Sequence, residues 1–159
     1  MSTVLIIRNY QPQDTHQIAD LFHVSVHAID SKIYSPAQKS AWAPRPPDYS
    51  RWYTRLVNTE PYVATLDNKI VGFAELELDG HIDCFYVHPA HQRKGVAQSL
   101  FSRLLTDART RGISRLYVEA SKVAEPFFRK NGFVLVSENQ VERRGQVLVN
   151  FCMERRLGT

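Results

Sequence analysis

The chain has 159 residues, a length that suits one domain around one core, and its 43% hydrophobic and 23% charged residues are an ordinary globular balance. That balance excludes a disordered chain, a collagen-like repeat and a disulfide scaffold, and the longest apolar runs are too short to cross a bilayer. A formal net charge of +4 suits nucleic acid or a phosphorylated small ligand, but the basic residues are scattered into clusters no larger than Arg93-Lys94 or Arg143-Arg144. No interleaving of basic and aromatic residues marks an RNA-binding sheet, so no nucleic-acid partner and no membrane partner is expected.

From the N-terminus, residues 4–8 read as a strand and residues 14–28 as a helix, with Asp14 as N-cap, Gln17 completing a capping box, and Ile18, Leu21 and Phe22 on one face. No signal peptide is read in residues 1–9. Residues 31–48 carry Tyr34, Trp42 and four prolines, an irregular aromatic segment with a short helix at 36–41 and the look of a pocket wall. Asp48 caps a further helix at 49–58 that carries Trp52, Tyr53 and Leu56.

A strand at 62–66, a turn at Asp67-Asn68-Lys69, a strand at 70–77, a turn at Asp79-Gly80 and a strand at 81–88 form an antiparallel meander, ended by Pro89. Residues 96–111 make a helix with Leu100, Phe101, Leu104 and Ala108 as its apolar stripe and Gly112 as its stop. A strand at 113–119, a helix at 123–131, and strands at 133–137 and 147–153 complete the chain. The long helix between the strands at 81–88 and 113–119 makes them parallel neighbours. The order predicts one α/β (α+β) domain over residues 1–159. Cys84 and Cys152 lie in apolar strand segments and read as buried free thiols; no Cys/His cluster has zinc spacing, no metal is expected, and the cytoplasm is the expected compartment.

The segment from Val87 to Ala97 carries the chemistry. A strand stops, a basic loop follows, and a long helix begins, whose first N–H groups lack partners and whose dipole adds positive charge. Gly95 lets the backbone approach an anion, Ala97 stays small, and Arg93 and Lys94 add charge. The glycine patterns of nucleoside-triphosphate and dinucleotide loops do not occur.

The pattern Val87-x-Pro89-x-x-Gln92-x-x-Gly95-x-Ala97 closely resembles motif A of the GNAT superfamily of N-acetyltransferases. A second segment, Ala124 to Phe133 with Phe128 and Gly132 in register, resembles that family's later signature, and Ile7-Arg8 with Asp14 resembles its usual start. The resemblance covers essentially the whole chain. It implies a mixed, mostly antiparallel central sheet of about seven strands with helices on both faces and a parallel, splayed pair at the cofactor site. The implied cofactor is acetyl-CoA, with CoA as product. Backbone groups of Phe85, Tyr86 and Val87 would pair with its pantetheine arm. The loop from Gln92 through Arg93, Lys94, Gly95, Val96, Ala97 and Gln98 would hold the pyrophosphate. Glu119 and Ser121 would reach the acetyl end, and Phe128 would pack against the arm or the core.

The implied reaction is direct acetyl transfer to an amine, which must be neutral to attack although a free alkylamine is protonated near pH 7. A base is therefore wanted. Asp83 is the first candidate and His81 the second; simple alternation places both on one face with Phe85 and Val87. Glu75 and Glu77 share a face on the neighbouring strand and read mainly as solvated. Many relatives carry tyrosine, assigned as the thiolate's proton donor, where this chain has Phe128, so Tyr86, Ser121 or water takes that role or the thiolate leaves unassisted. Tyr34, Trp42, Trp52, Tyr53 and Glu75, with Asp30 and Asp48, suggest an acceptor site for a small-molecule amine. A homodimer is compatible with the sequence. The competing function is a non-catalytic acyl-CoA-binding regulatory module.

Overall fold

In a computed structural model, which describes residues 4–158, the elements are β1 (Leu5–Asn9), α1 (Thr15–His27), α2 (Pro36–Trp42), α3 (Tyr49–Thr59), β2 (Tyr62–Leu66), β3 (Lys69–Leu76), β4 (His81–Val87), α4 (Val96–Thr110), β5 (Arg115–Ser121), α5 (Glu125–Lys130), β6 (Val134–Arg143) and β7 (Gln146–Arg156). The strands form one sheet in the order β1-β2-β3-β4-β5-β7-β6. Every neighbouring pair is antiparallel except β4–β5, which α4 connects as a parallel crossover. No helix among the described residues is long and apolar enough to cross a membrane.

Alternate strand residues feed two cores. Tyr62 and Ala64 of β2 pack with Leu100, Phe101 and Leu104 of α4 and with Phe128 of α5, whereas Val63 joins Ile18, Leu21 and Val26 of α1 and Leu56 of α3. Both faces of the sheet are therefore covered. This explains why β3 is buried along nearly its whole length and reads as an almost continuous apolar run.

Two irregularities of β4 shape the site. The first is a splay: β4 pairs with β5 only through His81↔Tyr117 and Ile82↔Val118, so the strands diverge beyond these rungs. The second is a bulge against β3. Between Leu76↔Ile82 and Ala74↔Phe85, β4 spends one more residue than β3. The extra residue corrects the alternation expected from the sequence. Ile82, Phe85 and Val87 pack in the α4 core, while Cys84 and Tyr86 join the α1/α3 core and Asp83 faces Arg55 of α3. His81 and Asp83 do not share a face with Phe85 and Val87.

Other departures have local causes. Asp14 stands at the N-cap position of α1, which starts at Thr15, but its side chain does not cap the helix: its carboxylate accepts from Nη1 and Nη2 of Arg8 at 2.8 and 3.0 Å and from the Gln11 N–H at 2.8 Å. β6 and β7 run well past the expected ends and close through Arg144 and Gly145, both with positive φ. Cys84 is buried, but Cys152 is only half-buried; both are free thiols. The proline-broken segment is ordered by side chains that bind backbone. Ser35 and Gln38 cap α2 reciprocally, Asp48 accepts from Arg51 N–H to cap α3, and the buried Lys39 ammonium donates to Ile29 O at 2.6 Å.

Candidate functional site

The loop after β4 reaches α4 through two left-handed residues, Arg93 (φ 61°) and Gly95 (φ 78°). The first intrahelical bond of α4 runs from Ser99 N–H to Gly95 O at 3.0 Å, so the N–H groups of Val96, Ala97 and Gln98 precede the ladder. A Cβ placed on Gly95 would meet nothing within 4 Å. The glycine is thus required by its backbone angle, and the space before the helix start is open. Unpartnered N–H groups, a dipole end and open space together fit a phosphate group. Gln92 pins the loop from within, donating Nε2 to Val87 O at 3.1 Å, and Gln98 donates to Asn131 Oδ1 at 2.9 Å.

From this loop a cleft of about 410 Å³ runs past β4 to the end of β5. Phe85, Tyr86 and Val87 of β4, Gln92, Ala97 of α4, Ser121 of β5 and Phe128 of α5 all line it, whereas Arg93, Lys94, Gly95, Val96 and Gln98 lie outside its walls. Phe127 lines it as well. Phe128 is buried against Phe85, Phe127 and Phe133 in edge-on ring contacts and offers no proton. Ser25 Oγ donates to Val87 O at 3.2 Å, adding α1 to the groove wall.

A second cavity of about 550 Å³ lies on the other side of the β4–β5 gap. Phe22, Tyr34, Trp42 and Tyr86 give it aromatic walls; Asp83, His81 and Glu119 give it charge; Asn139 and Asn150 of the β6–β7 hairpin add amides. Trp42, Tyr86 and Ser121 line both spaces, so groove and cavity meet at these three side chains.

The charges are organised around two centres. His81 places Nδ1 2.7 Å from Glu77 Oε1 and Nε2 2.5 Å from Glu119 Oε2. Burial pushes the imidazole pKa down, but the bonds to Glu119 and Glu77 outweigh it and hold the value above 6.5. A carboxylate at each ring nitrogen favours the imidazolium, with both N–H groups donating, and makes His81 a poor proton acceptor. Asp83 Oδ2 accepts from Arg55 Nη2 at 2.7 Å. Burial raises the Asp83 pKa, Arg55 opposes the rise, Glu75 and Glu77 reinforce it and His81 opposes it, and the net effect is upward from 3.8. Burial also holds the Tyr86 phenol far above its ordinary value, so it is neutral. Glu77, His81 and Asp83, like Glu75, Asp83 and Cys84, bring possible ligand atoms within 4.8 Å of one another, but hydrogen bonds within the network already engage these groups.

Several expected acceptor residues sit elsewhere. Glu75 is 0% exposed and faces Arg55 and Thr59, so the solvated reading holds for Glu77 and not for Glu75. Asp30 lines the first groove, Asp48 is spent on its helix cap, Trp52 lines a separate cavity beside α3, and Tyr53 is exposed. Tyr34 does line the second cavity, with its hydroxyl bonded to Val149 O and to Lys122 N–H. Sequence reading missed Arg55, Asn139 and Asn150. Arg55 has no local signal, because Glu75 and Asp83 lie 20 and 28 positions away.

The profile of the acetyltransferase (GNAT) domain matches residues 31–155 of this chain. An Escherichia coli protein described as the uncharacterized N-acetyltransferase YafP is 40% identical over 147 residues, covering 92% of this chain and 93% of its own length. A crystal structure of a GCN5-related N-acetyltransferase from Rhodopseudomonas palustris superposes with a TM-score of 0.91 at 35% identity, covering 99% of each chain. The PaiA N-acetyltransferase of Thermoplasma acidophilum, solved in complex with coenzyme A, shares the fold at 18% identity, with a TM-score of 0.76 over 97% of this chain and 99% of its own.

Proposed function

Since the chain belongs to the GNAT acetyltransferase family, we propose that it moves an acetyl group from acetyl-CoA directly to the primary amine of a small molecule. The observation that carries this reading is the meeting of the groove and the second cavity at Trp42, Tyr86 and Ser121. When bound, acetyl-CoA supplies an acyl group activated as a thioester. The unpartnered N–H groups at the start of α4 hold its pyrophosphate. The edge of β4 freed by the splay orients the pantetheine arm.

The amine enters from the cavity side, between the aromatic walls, and Asp83 accepts its proton directly or through water. His81, gripped by two carboxylates, holds its protons and positions Glu119. Phe128 donates nothing, so the leaving thiolate departs unassisted or takes a proton from a hydroxyl at the junction, Tyr86 or Ser121. Phe128 also favours a second reading, a non-catalytic acyl-CoA-binding module. A screen for release of CoA thiol across polyamines, aminoglycosides, arylamines and peptides decides between the two. Turnover with a small amine supports the enzyme reading, and turnover with peptides alone moves the acceptor to polypeptides. Binding of acetyl-CoA with no thiol released by any amine favours the module.

A further inference from the structure

We propose that Arg55 is a positioning residue for the base: anchored on the buried carboxylate of Glu75, its guanidinium holds the Asp83 carboxylate toward the acceptor cavity. The inference rests on the reading of Asp83 as the base. Arg55 Nε and Nη2 donate to the two oxygens of Glu75 at 3.1 and 2.6 Å, a forked contact that fixes the guanidinium plane. The same Nη2 reaches Asp83 Oδ2 at 2.7 Å and stands 3.2 Å from Cys84 Sγ. Glu75 is held in turn by Thr59, whose hydroxyl donates to Oε2 at 2.6 Å. Arg55 and Thr59 are one turn apart on α3, so a single helix face carries both grips on Glu75.

The exposures show the direction of the arrangement. Glu75 is fully buried, whereas the Asp83 side chain is 39% exposed and lines the cavity. A charge as deeply buried as Glu75 persists only with a fixed partner, so Arg55 is not free to follow solvent or substrate. The Asp83 carboxylate, within reach of an acceptor, is bonded to a cation that cannot leave. The charged and titratable groups around Asp83 are Arg55 from α3, Glu75 from β3 and Glu77 beyond it, and His81, Cys84 and Tyr86 from β4. Glu119 of β5 and Arg143 of β6 line the same cavity. Arg55 is the one that contacts Asp83 and lowers its proton affinity most, while Glu75 raises it.

The test is a titration of the Asp83 carboxyl carbon by ¹³C NMR, with the resonance assigned by its loss in Asp83→Asn. It needs no acceptor. In Arg55→Gln the midpoint rises by about one pH unit or more, the scale on which an adjacent arginine acts on an aspartate. In Glu75→Gln, which removes a negative charge and leaves Arg55 to Asp83, the midpoint falls. Arg55→Lys retains the charge but loses the fork, and its midpoint lies between the wild type and Arg55→Gln. Opposite shifts in the two Gln variants are not the mark of general loosening, which moves both midpoints toward that of a free aspartate. Should Arg55→Gln fail to fold, Arg55→Lys takes its place: a midpoint above the wild type in Arg55→Lys beside a fall in Glu75→Gln carries the test, with CoA binding as the check on the fold of each. Midpoints that stay put, or that move the same way in both Gln variants, overturn the proposal. An Asp83→Asn protein with undiminished turnover removes the base and leaves any midpoint shifts standing, so the two failures are separable.

Discussion

Asp83 and His81 are two residues apart on β4, and their surroundings give them different work. The imidazole has a carboxylate on each nitrogen, and its proton affinity is raised by bonds that consume both N–H groups. The carboxylate has one cationic partner and an open side, and its proton affinity is raised by burial and by neighbouring acids. In its proposed role as base, Asp83 works only when deprotonated. Turnover therefore falls as pH drops through the Asp83 pKa, and because that value is raised, the acid limb of kcat/KM lies above the range of a free aspartate. Asp83→Asn keeps the shape and removes the base. Its kcat is expected to drop on the order of 100-fold or more, with CoA affinity retained and the acid limb lost. Measurement of kcat/KM against pH for both proteins checks this, and a limb that survives the substitution unchanged removes Asp83 as its source.

At the scale of elements, the loop into α4 joins the family pattern to anion physics. Gly95 has a left-handed backbone and open space where a side chain would begin. Gly95→Ala therefore costs about 1–2 kcal/mol of backbone strain without a clash against protein. For a chain of this size that is a fall in Tm of about 2–4 °C per kcal/mol. Its methyl stands in the space assigned to phosphate, so CoA affinity is expected to fall by more than strain alone accounts for. Parallel melting and CoA titration separate the two effects. A lowered Tm with unchanged CoA affinity removes Gly95 from the phosphate site.

This loop was legible because its signal is local, and so was the β2–β3–β4 meander, with short apolar runs separated by Asp-Asn and Asp-Gly turns. β6 was only half legible. As an edge strand it carries Ser137, Glu138, Asn139, Gln140 and Glu142, and polarity hides a strand whose function is to face solvent and cavity. The bulge in β4 was not legible at all, since one extra residue changes the parity of a strand without changing its composition. Arg55 was hidden for a different reason, because what defines it is a buried acid on another element.

Across the whole molecule, the second cavity, proposed to take the acceptor, depends on a join between distant segments. The β5–β7 ladder ends at Ser121↔Asn150, and the next rung in that register would pair Lys122 with Val149. That rung is taken by a side chain instead. The Tyr34 hydroxyl accepts from Lys122 N–H at 2.9 Å and donates to Val149 O at 2.7 Å. A phenol from the segment before α2 thus spreads β5 from β7 by the width of an oxygen, at the edge of the cavity that Tyr34 also lines. The aromatic segment was visible in the sequence as a pocket wall, but the register that gives Tyr34 its place arises only once β7 is inserted between β5 and β6. Tyr34→Phe removes the bridge from a ring that is 2% exposed. The N–H and C=O then stand unsatisfied, at a cost of about 1–3 kcal/mol. A lower Tm and faster hydrogen exchange at the Lys122 amide are the expected results. The strands have a second course open to them, closing the missing rung directly. Exchange at Lys122 then slows instead of quickening, the cavity narrows, and the loss appears in acceptor KM with CoA affinity intact. A variant with wild-type Tm, exchange and kinetics would show that the hydroxyl holds nothing apart, and the cavity would then owe its width to the packing of Trp42 and Tyr86 alone.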